Sequence, residues 1–256
     1  MKKVIHTLFN ICHIEELARR DTWLNKRHSV IKILLTLLYI VLVASVDKYD
    51  LSRIIMAGVY PVMMITAGNI PLKEIGQKMI IPVLMGASLG VLNPLLDQES
   101  VMISQSVVIS AGWISFLTIF LKSLWSVSAA LILVSTTPIE EITYGLNKLK
   151  VPKLITVQLL LMFRYITILV GEIERILIAY SMRAMTNKGI DHKVWGSLIG
   201  QFFLRTSDRS IKLFEAMKLR GFDGVFKTNH QNFVAADGVL LSFWLMLFGV
   251  FIGICG

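Results

Sequence analysis

The stretch RTSDRSIKLFEAMKLRGFDG, residues 205–224, reads as a charged helix that stops at Gly221. Ile199, Phe203, Phe214 and Met217 recur at helical spacing on one side, with Ser210 among them, while Arg205, Asp208, Arg209 and Lys212 fall on the other. Asp208 precedes Lys212 by four residues, the favourable order for an intrahelical pair. Gly221 suits the left-handed residue that closes a helix. Arg220 stands in the last turn, where the helix dipole favours a cation. Capping alone accounts for both residues on a soluble helix. It does not account for the setting, because an earlier long helix ends in a similar way at Ala179-Tyr180-Ser181-Met182-Arg183-Ala184, and the rest of the chain has the character of a membrane protein.

Composition fixes that character. Of the 256 residues 55% are apolar and 17% charged, and the mean hydropathy of +0.67 is too high for an ordinary soluble domain. In such a chain a formal net charge of +9 points to a membrane surface. No basic stripe interleaved with stacking aromatics occurs, so nucleic acid is not an expected partner. Cys12 and Cys255 lie near opposite ends and suggest no disulfide framework. His6, Cys12 and His13 fall in a mixed interfacial segment and are not read as metal ligands. The opening, MKKVIHTLFNICHIEELARRD, lacks a clean apolar core and a small-residue cleavage site; it reads as a cytosolic amphipathic lead-in, not a signal peptide.

Apolar runs place a first span at about Ser29 to Val46, with Lys32 near its start snorkelling to the interface. A second covers Ile54 to Ile70, closed by Pro71, and a third Met79 to Leu96, with Pro82 and Pro94 near its ends. Ser104 to Pro138 reads as one long tilted helix with an amphipathic start; two tight spans broken near Lys122 would need a turn signal that is lacking. The last span, Gly238 to Cys255, carries no charge. Between them, Leu154 to Val170 is apolar enough to span, but Arg164 at its middle would cost about 2.5–3.5 kcal/mol at bilayer depth. The pattern also runs on without a break into charged residues, so we read one amphipathic helix from Pro152 to Met185, lying at the cytosolic surface.

The chain is therefore expected to be an all-α integral membrane protein of about five transmembrane helices. A cytosolic segment (1–28) precedes four spans (29–138), and a cytosolic region of long amphipathic helices (139–237) is inserted before the last span (238–256). With the N-terminus and 139–237 in the cytosol, 23 of the 26 Lys and Arg residues lie inside, as the positive-inside rule requires. No Asp, Glu or His falls within a span, which argues against a self-sufficient ion-coupled carrier. No phosphate-binding G-x-x-x-x-G-K-[ST] loop occurs either, so the chain is not expected to hydrolyse ATP. Glu140-Glu141 is read as dipole complement at a helix start, not as an acid–base pair. What remains is a membrane anchor with a basic helical platform, suited to docking a soluble motor.

Several stretches resemble the transmembrane T component of energy-coupling factor (ECF) transporters, in particular the cobalt-type CbiQ branch. His28-Ser29-Val30-Ile31-Lys32 is similar to that branch's lead into its first span, with Ser29 where a proline is usual. Tyr49-Asp50-Leu51-Ser52 and Ile70-Pro71-Leu72 match the start and end of its second span. Leu92-Asn93-Pro94-Leu95, Ser110-Ala111-Gly112-Trp113-Ile114-Ser115-Phe116 and Thr136-Thr137-Pro138 match its third and fourth helices. Most specific is Ala216-Met217-Lys218-Leu219-Arg220-Gly221, which resembles the family's second arginine signature. Ser181-Met182-Arg183-Ala184 stands at the first signature but lacks its glycine.

The resemblance implies a non-catalytic energy-coupling subunit in a prokaryotic plasma membrane, without a cofactor of its own. ATP would be bound by two partner ABC-type ATPase subunits, and a metal-binding membrane S subunit would carry cobalt or nickel. Residues around the two arginines (Ser181, Met182, Arg183, Ala184, Ala216, Met217, Arg220 and Gly221) would couple to the ATPases. The apolar faces, with Leu161, Ile168, Phe203, Ser210 and Phe214, would meet the S subunit. Two alternatives stand beside this reading: a T component shared by vitamin-binding S subunits, and a stand-alone membrane scaffold or enzyme.

Overall fold

The computed structural model describes residues 18–20, 22–48, 50–91, 100–104, 107–184, 191–224, 226, 233 and 235–253. Their helices are α1 (Ser29–Ser45), α2 (Leu51–Ala57), α3 (Val59–Gly68), α4 (Leu72–Gly90), α5 (Ala111–Thr136), α6 (Ile139–Lys148), α7 (Lys153–Ala184), α8 (His192–Leu219) and α9 (Ala235–Gly253). The architecture is that of an all-α membrane protein. Its one departure among the described residues is a short antiparallel hairpin, β1 (Ser100–Ser104) with β2 (Val107–Ser110), which leads into α5. Two compact units result: α1 to α5 with the hairpin and α9, and α6 to α8. By length and composition α2–α3 together, α5 and α7 could each cross a bilayer; α1 and α9 are shorter and strongly apolar.

The α2–α3 junction follows from two residues. Pro61 has no N–H to give the carbonyl of Ala57, four residues back, and Gly58 continues the chain in helical conformation at φ −61°. The Tyr39 hydroxyl donates to the freed Ala57 carbonyl at 2.8 Å. In a membrane such replacement is required, since no water is at hand to satisfy it. Tyr39 stacks on Tyr60 at 4.3 Å, and Tyr60 meets Trp244 edge-on at 4.6 Å, so one aromatic cluster joins α1, α3 and α9. On the outside Leu37, Val41, Ile81, Leu84 and Met246 are exposed, a surface suited to hydrocarbon.

Small residues let α5 approach its neighbours. A Cβ on Gly58 would lie 2.5 Å from the Trp125 ring, and one on Gly86 2.5 Å from the Ser123 Cβ. Gly90, one turn on, faces Phe116 in the same way, so α4 presents a G-x-x-x-G face to α5.

α1 and α5 are held antiparallel by two lysines. Lys32, at the start of α1, donates to the carbonyls of Thr136 (2.9 Å), the last residue of α5, and of Asn25 (3.2 Å). Lys122, in the middle of α5, donates to the carbonyls of Ala44 (3.2 Å) and Val46 at the end of α1. Lys32 through Thr136, and Lys122 through Ala44 and Val46, meet carbonyls at the C-terminal end of the partner helix, the negative end of its dipole.

Several expected boundaries move. Lys32 is 3% exposed and turns inward, not out to the interface, because its partners lie inside the bundle. The helix at the expected second span starts at Leu51 and that at the third at Leu72, where Lys73, Glu74 and Lys78 make α4 less apolar than the other spans; Leu92 to Leu96 lie outside the described residues. Residues 111–136 are one helix, as expected, but Ser104 and Val107–Ser110 are strand and not its amphipathic start. The β-branched Val107, Val108 and Ile109 pair across the hairpin, in keeping with their strand preference.

The packing at Gly58 makes a signed test. In a helical conformation Gly→Ala alone would stabilise by about 0.4–1 kcal/mol. Collision with Trp125 should reverse this, so we expect Gly58→Ala to cost about 1–3 kcal/mol, read as a lower thermal denaturation midpoint in detergent. Trp125→Leu in the same chain should recover most of the loss. A Gly58→Ala chain as stable as the parent would contradict the close approach.

Candidate functional site

The α6–α8 unit contains the candidate site. α6 follows Pro138, carries Glu140 and Glu141 in its first turn and Lys148 in its last, and so matches the helix dipole at both ends. It closes at Lys150, held at φ 64°, with Val151 N–H donating back to the Leu146 carbonyl at 3.1 Å. Pro152 then precedes α7, whose 32 residues span about 48 Å at 1.5 Å each. Arg164 is exposed near the middle of α7.

α7 and α8 form an antiparallel hairpin. Asp191 caps α8 by accepting from the Lys193 N–H at 3.2 Å, and its own N–H donates to the Tyr180 hydroxyl at 3.4 Å. Further along, Arg205 donates to Glu172 at 2.6 Å, and Arg175 lies 3.6 Å from the same carboxylate. Past this pair the helices border an open cleft of ≈ 540 Å³, with Tyr165, Ile168 and Leu213 on its apolar side and Arg209 and Lys212 among its polar residues. The expected Asp208–Lys212 pair does not form: both side chains line this cleft, and the hairpin's ion pair runs from Arg205 to Glu172 instead. Nothing in local spacing signals a contact between residues 33 apart.

α8 ends as the sequence leads one to expect. Gly221 sits at φ 73°, its N–H donates to the Lys218 carbonyl at 3.1 Å, and the Phe222 N–H reaches back to Met217 at 3.0 Å. This is a Schellman closure, with Arg220 as the C-cap residue just after Leu219. Among the described residues no atom would touch a Cβ at Gly221, so the requirement for glycine there is conformational.

The two arginines stand apart. Arg183 is in the last turn of α7, one turn beyond the Tyr180 hydroxyl that fixes the start of α8. Arg220 is at the far end of α8, whose 28 residues span about 42 Å. Both are exposed, and neither guanidinium has a hydrogen-bond or ion-pair partner among the described residues. Around them Met182 is 74% exposed and Ala216 is open to solvent, whereas Ser181, Ala184 and Met217 are half-buried. Ser181 donates to the Ile178 carbonyl within its own helix.

The second group of expected site residues divides. Phe203 and Phe214 are 68% and 64% exposed, with the exposed Ser210 between them. α8 has no buried residue at all, so this face is open from Ile199 to Phe214. Ile168 lines the cleft instead, and Leu161 is half-buried on α7. Cys12, His6, His13 and Met185 lie outside the described residues.

Comparison with known proteins covers the same helices. The family described as CbiQ, cobalt transport protein, matches residues 21–232. MJ1089, an uncharacterized protein of Methanocaldococcus jannaschii, is 34% identical over 112 residues, 43% of this chain and 42% of its own. The nickel permease LarQ of Lactiplantibacillus plantarum is 24% identical over 119 residues, 44% of each chain. These two matches span less than half the length of either relative. MJ1571, an uncharacterized protein of Methanocaldococcus jannaschii, is 25% identical over 237 residues, 89% of this chain and 80% of its own. The family match runs from before α1 to beyond Arg220 and takes in both arginine-bearing helix ends; the chain, a multi-pass membrane protein, belongs to the CbiQ family of cobalt transport proteins.

Proposed function

We propose that the chain is the energy-coupling T subunit of an ECF-type importer for cobalt or nickel. The observation that supports this most is a pair of exposed arginines, Arg183 at the end of α7 and Arg220 at the end of α8, that have no partner among the described residues. A guanidinium offers five donors in a fixed fork, and can grip carboxylates or helix-end carbonyls through a large movement. Two such grips, at opposite ends of a helix about 42 Å long, suit two ATPase subunits that draw together on binding ATP. The open face with Phe203, Ser210 and Phe214 is then where a membrane S subunit docks, since apolar groups beside a small serine let another helix approach closely. The likeness to a nickel permease favours a transition-metal cargo over a vitamin. The cargo need not touch this chain.

α7 lies at the cytosolic face in this reading, although its length and apolarity would let it span. Arg164, Glu172 and Arg175 would each burden a span, and a crossing there would carry the following Lys and Arg residues to the outside, against the positive-inside rule.

Two outcomes follow. Arg220→Glu should leave the chain inserted and folded while cobalt uptake and copurification of the ATPase pair are lost. A lost charge-assisted contact of about 2–5 kcal/mol at a buried interface weakens docking by more than an order of magnitude. Normal uptake with normal copurification would sink the role. For topology, cysteines placed at Lys193 or Glu215, in a chain with Cys12 and Cys255 replaced by serine, should react with an impermeant maleimide only after the cells are opened. Labelling in intact cells would put α7 across the bilayer.

A further inference from the structure

The α6–α8 region is joined to the bundle by two strands of chain, one leaving after Thr136 and one returning before Asp237. Both junctions are held by one short segment, Asn25–Lys32. On the outgoing side, the Lys32 ammonium binds the Thr136 carbonyl and the Asn25 carbonyl together. On the returning side, Asp237 is 1% exposed in the first turn of α9, where a carboxylate suits the dipole. It accepts from the His28 N–H at 3.4 Å and pairs with Arg27 at 3.6 Å. Arg27 also lies over the Trp23 ring at 4.4 Å, and His28 meets Phe233 at 6.1 Å. The segment is itself fixed: the Asn25 amide donates to the carbonyls of Ala18 and Arg20, and Leu24 is fully buried.

A buried carboxylate and a buried ammonium are poor choices for stability alone, because apolar residues of similar volume would pack as well without desolvating a charge. Their directionality is what a mount needs. The part of a load on the inserted region that travels along the chain enters the bundle at Thr136 and at Asp237. Unclamped, those strands would swivel about their torsions and absorb movement. Clamped, they deliver it to α1, α5 and α9 together.

We propose that Asp237, Arg27 and Lys32 are positioning residues for energy transmission: a polar mount that converts movement of the inserted helices into movement of the membrane bundle. The inference rests on the T-subunit reading above. It adds a second place at which transmission can be cut without disturbing ATPase docking.

The test uses the complete transporter in proteoliposomes, with cobalt as the ion, and reads cobalt taken up per ATP hydrolysed. Asp237→Asn keeps size and shape and loses the charge. The variant should copurify with both kinds of partner at parental yield and hydrolyse ATP within about twofold of the parent, while cobalt per ATP falls about tenfold. Asp237→Glu should restore at least half the ratio. Arg27→Gln, which breaks the same pair from the other side, should lower it as Asp237→Asn does. An unchanged ratio in Asp237→Asn overturns the proposal, and so does a fall that merely tracks loss of folded protein. Should Asp237→Asn not fold, the ratio in Arg27→Gln decides alone. Failure of the parent chain to bind an ATPase pair would instead count against the T-subunit reading, and is seen before any variant is compared.

Discussion

Carbonyl groups at helix ends inside a bilayer have no water to bind, and this bundle is built around meeting them. α1 and α5 do it for each other, Lys32 reaching the end of α5 and Lys122 the end of α1. A charged donor is worth more here than at a soluble helix end, since the alternative is an orphaned carbonyl in hydrocarbon. The antiparallel arrangement and the register of the two helices follow from it: sliding either helix by one turn would remove both lysines from their acceptors. Tyr39 serves the Ala57 carbonyl that Pro61 leaves free, and the aromatic cluster with Tyr60 and Trp244 is thereby fixed around it.

The α6–α8 region is built to the opposite rule. α8 has no fully buried residue, Arg183 at the end of α7 and Arg220 at the end of α8 are unpartnered among the described residues, and the face with Phe203 and Phe214 is open. Its own shape is nevertheless defined, by the Asp191 cap, the Arg205–Glu172 pair and the Schellman closure at Gly221. A helix that is well capped but leaves much of its apolar surface uncovered is stable as a shape and incomplete as a surface. The proposed coupling role needs both properties, because a frayed helix cannot carry a load and a covered one cannot receive a partner.

Most of the helices were legible because apolarity is a property of consecutive residues. α1 and α7 match their expected limits within about two residues, the usual uncertainty at helix ends. Gly221 was legible too, since only a glycine takes φ 73° without strain. The failures share a cause. Lys32 looked like a snorkelling residue because its acceptor, Thr136, is 104 positions away. Asp208 and Lys212 satisfied a local pairing rule, but Arg205 found Glu172 on another helix. Pro61 and Gly58 stood in plain sight within the second span; the donor that makes them tolerable, Tyr39, did not. The hairpin before α5 was missed because its short apolar run fits a helix start as well as a strand.

The central claim, that the two ends of α8 each receive one ATPase subunit, is best tested by photo-cross-linking in the intact membrane. The photo-reactive groups belong at Met182 and Leu219, exposed neighbours of the two arginines whose own side chains would stay in place. Each position should cross-link to an ATP-binding subunit, and a chain carrying both should join two copies of it. Cross-links at both positions to lipid or to other copies of this chain alone, with none to an ATPase, would contradict the account.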